Sequence, residues 1–238
     1  MDKIIKYINM QLSILKRNRM PDLKFYNDNM QEVDISKCSI PPKLNIKGYY
    51  DILIDQYKME YPEQFLAYNF INYHATVLEL GARFGSVSCA INKKLMYKTN
   101  QVSVEPDKYV WDTLDYNIKA NDCNVFVHKG IVSKTNSQLI HLGYGSYTVS
   151  SESTTLNCIS VEDLQLKYNL VFDTVVADCE GFLETFFDEH LFLYDQLNTV
   201  IFEADSQDRC NYDKIRKNLR EHGFYNIISG FQNVYKKF

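Results

Sequence analysis

The sequence predicts an α/β fold in which a mostly parallel sheet ends in an antiparallel strand pair and follows an N-terminal helical extension. From Thr76 onward, short apolar runs alternate with amphipathic helices, which is typical of parallel strands joined by right-handed crossovers. A turn between Gly81 and Gly85 follows the first apolar run. Two strand-like segments separated by Ser229 and Gly230 close the chain, as expected for an antiparallel hairpin.

The length and composition fit one globular domain. The chain has 238 residues, of which 45% are hydrophobic, and this supports a core and argues against long disordered tracts. A formal net charge of -4 argues against a nucleic-acid binder, which usually shows a basic face. The six scattered cysteines, without a C-x-x-C pair, indicate free thiols in a reducing compartment. Because no secretory signal and no apolar run of ~20 residues is visible, we expect a cytoplasmic protein without a transmembrane segment.

The N-terminal region differs from the rest of the chain because it lacks strong strand signals. Residues 1–62 are expected to form the helical extension, and residues 63–238 the α/β domain. Residues 2–19 carry apolar side chains at helical spacing. This helix is expected to pack on the domain or on a second copy of the chain, giving a homodimer, and a membrane-surface or nucleic-acid helix is the alternative. Residues 49–61 and 63–73 predict two further helices.

The elements of the α/β domain follow in order along the chain. The predicted strands are residues 76–80, 101–104, 124–128, 172–177, 199–202, 224–228 and 232–235. The predicted helices are residues 86–96, 107–120 and 161–168, one that starts at 182, and one through 212–219. Asp107 is a candidate N-cap and Gly223 a candidate C-cap of their helices. The Ser/Thr-rich stretch 133–158 is predicted to hold a hairpin and a loop.

The glycine-bearing turn is the first candidate binding site. Gly81 and Gly85 let the backbone approach a ligand closely, and the helix that starts near Ser86 points free N–H groups toward it. The spacing is neither G-x-G-x-x-G nor G-x-x-x-x-G-K-[ST], which disfavours a dinucleotide pyrophosphate and excludes a P-loop. Glu79, at the end of the strand, repels phosphate but suits a ligand with ammonium and sulfonium groups. Those are the charges of S-adenosylmethionine (SAM), so the turn predicts a SAM site.

A second acid supports the same ligand. Glu105 follows the second strand, twenty residues after Gly85, where Rossmann-like folds place an acid that accepts both ribose hydroxyls. Gly130 and Ile131 follow the third strand, where the adenine is expected to rest. The whole predicted SAM-binding set is Glu79, Gly81, Ala82, Arg83, Gly85, Ser86, Glu105, Pro106, Gly130, Ile131 and Asp178. The alternative is that the acids are ordinary surface groups at strand ends.

Three motifs mark the predicted α/β domain, namely Glu79-Leu-Gly-Ala-Arg-Phe-Gly85, Val104-Glu-Pro106 followed by Asn117 and Asn121, and Asp178-Cys-Glu-Gly181 with Glu184. In these motifs the sequence, from about Glu63 onward, resembles the FkbM-type methyltransferases. Arg83 stands where the family often has asparagine, and Val176 where it often has lysine. The resemblance implies a Rossmann-like class I methyltransferase sheet with SAM as cofactor. It also implies O-methylation of hydroxyls, frequently on sugars of glycans, glycolipids or natural products.

Acids that follow the later strands are the candidate catalytic residues. A sugar hydroxyl is a weak acid, so a base should remove its proton during methyl transfer. Asp178, Glu180, Glu203 and Asp205 should face the crevice at the carboxyl ends of the strands. Asp178 is the first candidate base and Glu180 the second, with helix capping as the alternative role of Glu180. His128 is a further candidate base, although a core or surface histidine is the simpler interpretation.

The sequence leaves other ligands and functions open. Two or three of these carboxylates could hold Mg²⁺ or Ca²⁺, but the sequence favours SAM alone and assigns no metal site. Tyr144, Tyr147 and Trp111 are candidates to stack on a sugar or glycan, the expected acceptor, although burial on its helix is the preferred interpretation for Trp111. A nucleic-acid methyltransferase and a non-catalytic SAM-fold binding module are the rival functions. The first would need a base-flipping motif where the chain has Asp178-Cys-Glu-Gly181, so nucleic acid is a disfavoured partner.

Overall fold

The computed structural model describes residues 21–142, 145–153 and 156–238 of the chain. The strands are β1 (Ile46–Lys47), β2 (Leu53–Ile54), β3 (Val77–Leu80), β4 (Gln101–Glu105), β5 (Phe126–Lys129), β6 (Ile131–Val132), β7 (Ser137–Leu142), β8 (Gly145–Ser150), β9 (Cys158–Ile159), β10 (Thr174–Ala177), β11 (Thr199–Glu203), β12 (Tyr225–Ile228) and β13 (Gln232–Lys236). The helices are α1 (Tyr61–Phe70), α2 (Ser86–Lys94), α3 (Trp111–Ala120), α4 (Val161–Tyr168), α5 (Leu183–Glu189), α6 (Leu193–Gln196) and α7 (Tyr212–Glu221). The predicted helix over residues 2–19, and with it the expected homodimer contact, lies outside the described residues.

A seven-stranded sheet forms the centre of the fold, in the order β12-β13-β11-β10-β3-β4-β5. The strands from β11 to β5 run parallel, and β13 pairs antiparallel with β11 and with β12. This topology confirms the predicted fold class. After β3 the chain builds β4 and β5 on one side and, later, β10 and β11 on the other. Open α/β sheets bind ligands outside the carboxyl ends of the strands at such a change of direction.

Apolar side chains cover both faces of the sheet. Because neighbouring residues of a strand point to opposite faces, Val175 belongs to the core cluster that contains Phe186 of α5. Val176 instead packs in the cluster of Phe65 and Ile91, on α1 and α2. Strands buried on both faces appear in sequence as continuous apolar runs, which is why they were recognisable.

Residues 21–60 contain no α-helix, and the prediction of one over residues 49–61 is wrong. Short 3-10 turns, including Tyr49–Asp51, replace it on either side of β2. Tyr50 and Glu60 have φ angles of 59° and 51°. A residue in this left-handed region interrupts a right-handed helix. The segment therefore folds as turns and as a hairpin whose strands, β1 and β2, have two residues each.

Asn117 of α3 and Asn121, the residue that caps its C-terminus, hold the segment before and within β1. Asn117 donates to the carbonyl of Lys47 (2.7 Å) and accepts from its N–H (2.8 Å). Asn121 makes the same pair of bonds with Asn45 (2.9 and 2.8 Å). Asn117 and Asn121, which belong to the motifs shared with the FkbM-type sequences, therefore anchor the N-terminal segment to the domain. The division of the chain at residue 62 stays a prediction.

The remaining elements follow the sequence with small differences. The helix expected from residue 107 starts at Trp111, because the chain makes a separate turn first. Asp107 accepts from the Tyr109 N–H (2.9 Å) in that turn, so its prediction as the helix N-cap is wrong. Gly223 follows α7 with a φ of 83°, which suits a C-terminal cap. Within the three described stretches, every helix is too short or too polar to cross a bilayer.

Candidate active site

A cavity opens at the carboxyl ends of β3, β4, β5 and β10. The atom-free space there, including the part open to solvent, is about 720 Å³. The sequence-predicted residues that line it are Gly81, Arg83, Glu105, Pro106, Gly130, Ile131, Asp178 and Glu180. The fold therefore brings these strand ends together around one space, as expected for a parallel sheet.

Gly81 and Asp178 lie side by side at the floor of this cavity. They follow Leu80 and Ala177, which are paired across β3 and β10, and the Asp178 N–H donates to the Leu80 carbonyl (3.0 Å). Gly81 has a φ of 86°, and a Cβ there would lie 1.7 Å from the Asp178 carbonyl oxygen. Only glycine therefore allows the two strand ends to pass this closely.

Gly85, Ala82 and Ser86 lie behind the turn and do not line the cavity. A Cβ on Gly85 would lie 2.7 Å from Cδ1 of Leu114, so this glycine allows α3 to pack against the turn. Ala82 and Ser86 are buried, and the Ser86 hydroxyl donates to Glu60. These residues support the wall of the cavity, and their direct contact with a cofactor stays a prediction.

Glu105 lies at the end of β4 with its carboxylate held by backbone groups. Oε2 accepts from the Arg83 N–H and Oε1 from the Asp107 N–H, both at 2.7 Å. Burial raises the pKa of Glu105 to about 7, although these two bonds and the Arg83 charge oppose the shift. Each carboxylate oxygen can accept further hydrogen bonds, so the group is oriented to receive two neighbouring hydroxyls.

Arg83 lines the cavity, but its charge is already balanced. Nη1 forms an ion pair with Oδ2 of Asp107 at 3.1 Å, and Nη2 donates to the Tyr49 hydroxyl. Its backbone φ is 47°, a conformation that asparagine tolerates better than most residues. This geometry gives a physical reason for the asparagine that FkbM-type sequences often carry at the position. It also means that the cavity offers no uncompensated guanidinium to a phosphate.

Glu79 lies deeper than the sequence suggested. Its side chain is 1% exposed, and Oε2 accepts from the Ser88 hydroxyl (2.6 Å) and the Ser103 hydroxyl. Oε1 has no hydrogen-bond partner, and burial raises the pKa of the group. Glu79 does not line the main cavity but a smaller one that adjoins it. Contact between Glu79 and a cofactor therefore stays a prediction.

Glu60 is an acidic cavity residue that sequence reasoning missed. It lines both the main cavity and the smaller one, and burial raises its pKa to about 7. Its φ of 51° turns the chain immediately before α1, where Pro62 occupies the first turn. The available signal was a proline, which favours the first turn of a helix, but the helix expected over residues 49–61 concealed it.

An acidic cluster lies where β10 and β11 end, and one of its members, Asp178, lines the cavity. One carboxylate oxygen from each of Asp178, Glu203 and Asp205 lies within 4.8 Å of the others. Burial, followed by the charges of Glu203 and Glu60, raises the pKa of Asp178 well above its ordinary value. Burial and the adjacent carboxylate of Glu63 raise the pKa of Glu203 to about 9. Such shifts are typical of functional sites.

Glu180 stands at the turn between β10 and α5. It has a φ of 51° and Gly181 one of 89°, so the chain reverses sharply here and points Glu180 toward the cavity. Burial and the neighbouring Asp205 raise the pKa of Glu180. The N-cap of α5 is Phe182, and no side chain caps that helix, so the alternative capping role of Glu180 is not observed.

The β7–β8 hairpin closes one side of the cavity. Its lining residues are Leu139, Gly145, Ser146 and Thr148. A Cβ on Gly145 would lie 3.2 Å from Oε1 of Glu180, so the hairpin approaches the candidate base closely. Tyr147 does not line the cavity, and its ring lies 4.2 Å from the Arg209 guanidinium. Tyr144 lies outside the described residues.

Three other residues considered in the sequence analysis make contacts that support the fold. His128 is 1% exposed, lies behind Gly130 and does not line the cavity, and burial lowers its pKa. The indole N–H of Trp111 donates to the Glu105 carbonyl (2.8 Å) from α3. Glu184 accepts from the Asn211 N–H (2.8 Å) and thereby ties α5 to the start of α7. None of these three contacts places the side chain in the cavity.

Comparison with known proteins identifies the fold. No protein-family model matches the sequence. No curated protein sequence matches it either. The structure is similar to the precorrin-6y C5,15-methyltransferase of Geobacter metallireducens GS-15, with 12% identity, a TM-score of 0.50, and coverage of 80% of this chain and 90% of that one. It also matches a putative RNA methyltransferase of Pyrococcus horikoshii (17% identity, TM-score 0.45, 81% and 93% coverage). A putative O-methyltransferase of Klebsiella pneumoniae matches at 13% identity, a TM-score of 0.42, and 74% and 80% coverage.

The similarity to the precorrin-6y methyltransferase extends over 80% of this chain, and at 12% identity it concerns the fold alone. The mostly parallel sheet with its antiparallel β12–β13 pair agrees with it. The chain therefore has the Rossmann-like fold of class I methyltransferases.

Proposed function

We propose that this chain is a SAM-dependent O-methyltransferase that transfers a methyl group to a hydroxyl of a sugar in a glycan or glycoconjugate. The observation that carries the proposal is the convergence of Gly81, Glu105 and Asp178 on one cavity. The sugar acceptor and the FkbM-type assignment rest on the sequence motifs, of which Asp178-Cys-Glu-Gly181 is the most specific.

The chemistry of the cavity fits SAM better than a phosphorylated cofactor. Glu60, Glu105 and Asp178 supply carboxylates for an ammonium, a sulfonium and a ribose diol. Ile131 and Val132 supply apolar surface for an adenine. Among the described residues that line the cavity, Arg83 is the only basic one, and Asp107 already balances its charge.

The chain's own residues divide the work of the proposed reaction. When bound, SAM supplies an electrophilic methyl group on a sulfonium. Glu105 binds the ribose hydroxyls and thereby fixes the position of the cofactor. Asp178 accepts the proton of the acceptor hydroxyl, with Glu180 as the second candidate for this role. The raised pKa of Asp178 makes it a stronger base than an ordinary carboxylate once it is ionised.

The β7–β8 hairpin is proposed to form one wall of the acceptor site. Ser146 and Thr148 offer hydroxyl groups and Leu139 an apolar surface, a combination suited to the polar rim and apolar face of a sugar. Gly145 leaves room beside Glu180, so an acceptor hydroxyl could reach that carboxylate. The hairpin also limits the access of water to the cavity.

Incubation with methyl-labelled SAM and a panel of oligosaccharides, followed by mass spectrometry, tests the proposal. A mass increase of one methyl group on an oligosaccharide supports it. Labelling of RNA or DNA in parallel reactions, with retention that falls as salt rises, would favour the nucleic-acid rival. Failure of calorimetry to detect SAM binding would favour the non-catalytic module.

A further inference from the structure

The acidic cluster of Asp178, Glu203 and Asp205 has the dimensions of a metal site. Hard divalent cations bind oxygen ligands at roughly 2.0–2.6 Å, so two ligands of one ion can lie at most about 5 Å apart. One oxygen from each of the three carboxylates satisfies this limit, since all lie within 4.8 Å of one another. The three side chains are half-buried, so a bound ion would be shielded from bulk water.

Buried oxygens without partners border the same place. Gln232 and Glu63 are 8% and 7% exposed, and Oε1 of Gln232 and Oε2 of Glu63 have no hydrogen-bond partner. Both residues line the smaller cavity together with Asp178 and Glu203. A buried polar atom without a partner is costly, and native proteins usually satisfy it with water or an ion. These two nine-tenths-buried oxygens are a second observation beside the acidic cluster, and an ion or a water molecule in the smaller cavity would give them a partner.

The existing hydrogen bonds orient the cluster without filling it. The Tyr212 hydroxyl donates to Oδ1 of Asp205, and Nε2 of Gln232 donates to Oε2 of Glu203, both at 2.7 Å. Each bond fixes one carboxylate oxygen, and the carboxylates of Glu180 and Glu63 lie next to Asp205 and Glu203, respectively. Within the part of the chain that the structure describes, no Lys or Arg forms an ion pair with the three acids.

We propose that Asp178, Glu203 and Asp205 bind one divalent metal ion of the Mg²⁺, Mn²⁺ or Ca²⁺ class. An ion at this position neutralises the mutual repulsion of the carboxylates and supplies a partner for the oxygens behind them. Because Asp178 also lines the main cavity, the ion borders the acceptor end of the proposed active site. The metal site does not depend on the identity of the acceptor.

Metal titration of the full-length chain tests this inference directly. After treatment with EDTA and dialysis, the protein is titrated with Mn²⁺ and Ca²⁺ by calorimetry and with Tb³⁺ by luminescence, for which the Tyr212 ring is a suitable sensitiser. We expect saturation at one ion per chain. Asp205→Asn should lower the affinity on the order of tenfold or more, because it removes a ligand while its amide oxygen can still accept from Tyr212.

The matched control is Asp188→Asn, an acid on α5 that pairs with Lys214 and lies outside the cluster. This variant should bind metal as the wild-type chain does, and circular dichroism confirms that both variants fold. Absence of saturable binding in the wild type, or equal affinity in Asp205→Asn and Asp188→Asn, would overturn the inference. SAM affinity measured in EDTA separates the two proposals, because loss of the metal site alone leaves SAM binding in place.

Discussion

A Cβ on Gly81 would lie 1.7 Å from the carbonyl oxygen of Asp178. Gly81, in the turn after β3, and Asp178, directly after β10, therefore pack against each other. Each depends on the other, since the Asp178 side chain lies at the cavity only if β10 can end against the β3 turn. This contact links the predicted cofactor turn to the predicted base.

Gly81→Ala is expected to destabilise the chain and abolish SAM binding. The substitution combines a φ of 86° with a backbone clash, so we expect a loss above about 3 kcal/mol in the free energy of unfolding. Gly223→Ala is the matched control, because Gly223 has a φ of 83° but nothing within 4 Å of its added Cβ. Denaturant unfolding should show only about 1–2 kcal/mol of loss there. Equal losses in the two variants would show that the contact with Asp178 is unimportant.

Asp178→Asn is expected to abolish methyl transfer while SAM still binds. The amide keeps the shape of the side chain but cannot accept the proton of an acceptor hydroxyl. Turnover with the best acceptor and SAM affinity by calorimetry are the two measurements, and Asp188→Asn serves as the control. Full activity in Asp178→Asn would refute its assignment as the base and leave Glu180 as the candidate.

SAM affinity is expected to rise with pH through about 7. Burial raises the pKa of Glu105 to about 7, so the group is largely protonated below that pH and ionised above it. The ionised form accepts both ribose hydroxyls, and the affinity should therefore fall as Glu105 gains its proton. Glu60 titrates in the same range, so Glu105→Gln is needed to separate the two contributions. A pH profile that keeps its full slope in Glu105→Gln would assign the dependence to another group.

Asn117→Ala is expected to loosen the N-terminal segment from the domain. Asn117 is fully buried, and its loss removes the hydrogen bonds to the N–H and carbonyl of Lys47 and to the carbonyl of Phe84. We expect a cost of about 2–4 kcal/mol in the free energy of unfolding. Asn72→Ala removes only an exposed bond to the His74 N–H and should cost less. Similar costs for both would mean that the docking bonds contribute little.

The sequence predicted those parts of the site that depend on the order of strands. Glu105 and Asp178 follow apolar runs, and the carboxyl ends of parallel strands meet at one edge, so their convergence could be foreseen. The turn at Gly81 was recognisable because a positive φ and a close backbone approach require glycine.

The contributions of Glu60 and Glu79 could not be foreseen in the same way. Glu60 reaches the cavity through a left-handed turn before α1, in a segment whose apolar spacing imitated a helix. Side chains along β3 alternate between the two faces of the sheet. This alternation directs Glu79 to the face that it shares with Ser103 rather than to the main cavity. Packing between elements distant in sequence decides both positions.

The structure of a crystal grown in the presence of SAM tests most directly the central claim, which is that SAM binds in this cavity. We predict density for one SAM molecule beside Gly81, with the ribose hydroxyls on the Glu105 carboxylate and the sulfonium near Asp178. A well-ordered structure at saturating SAM in which this cavity is empty, or in which Glu105 contacts no ribose, would contradict the proposed function.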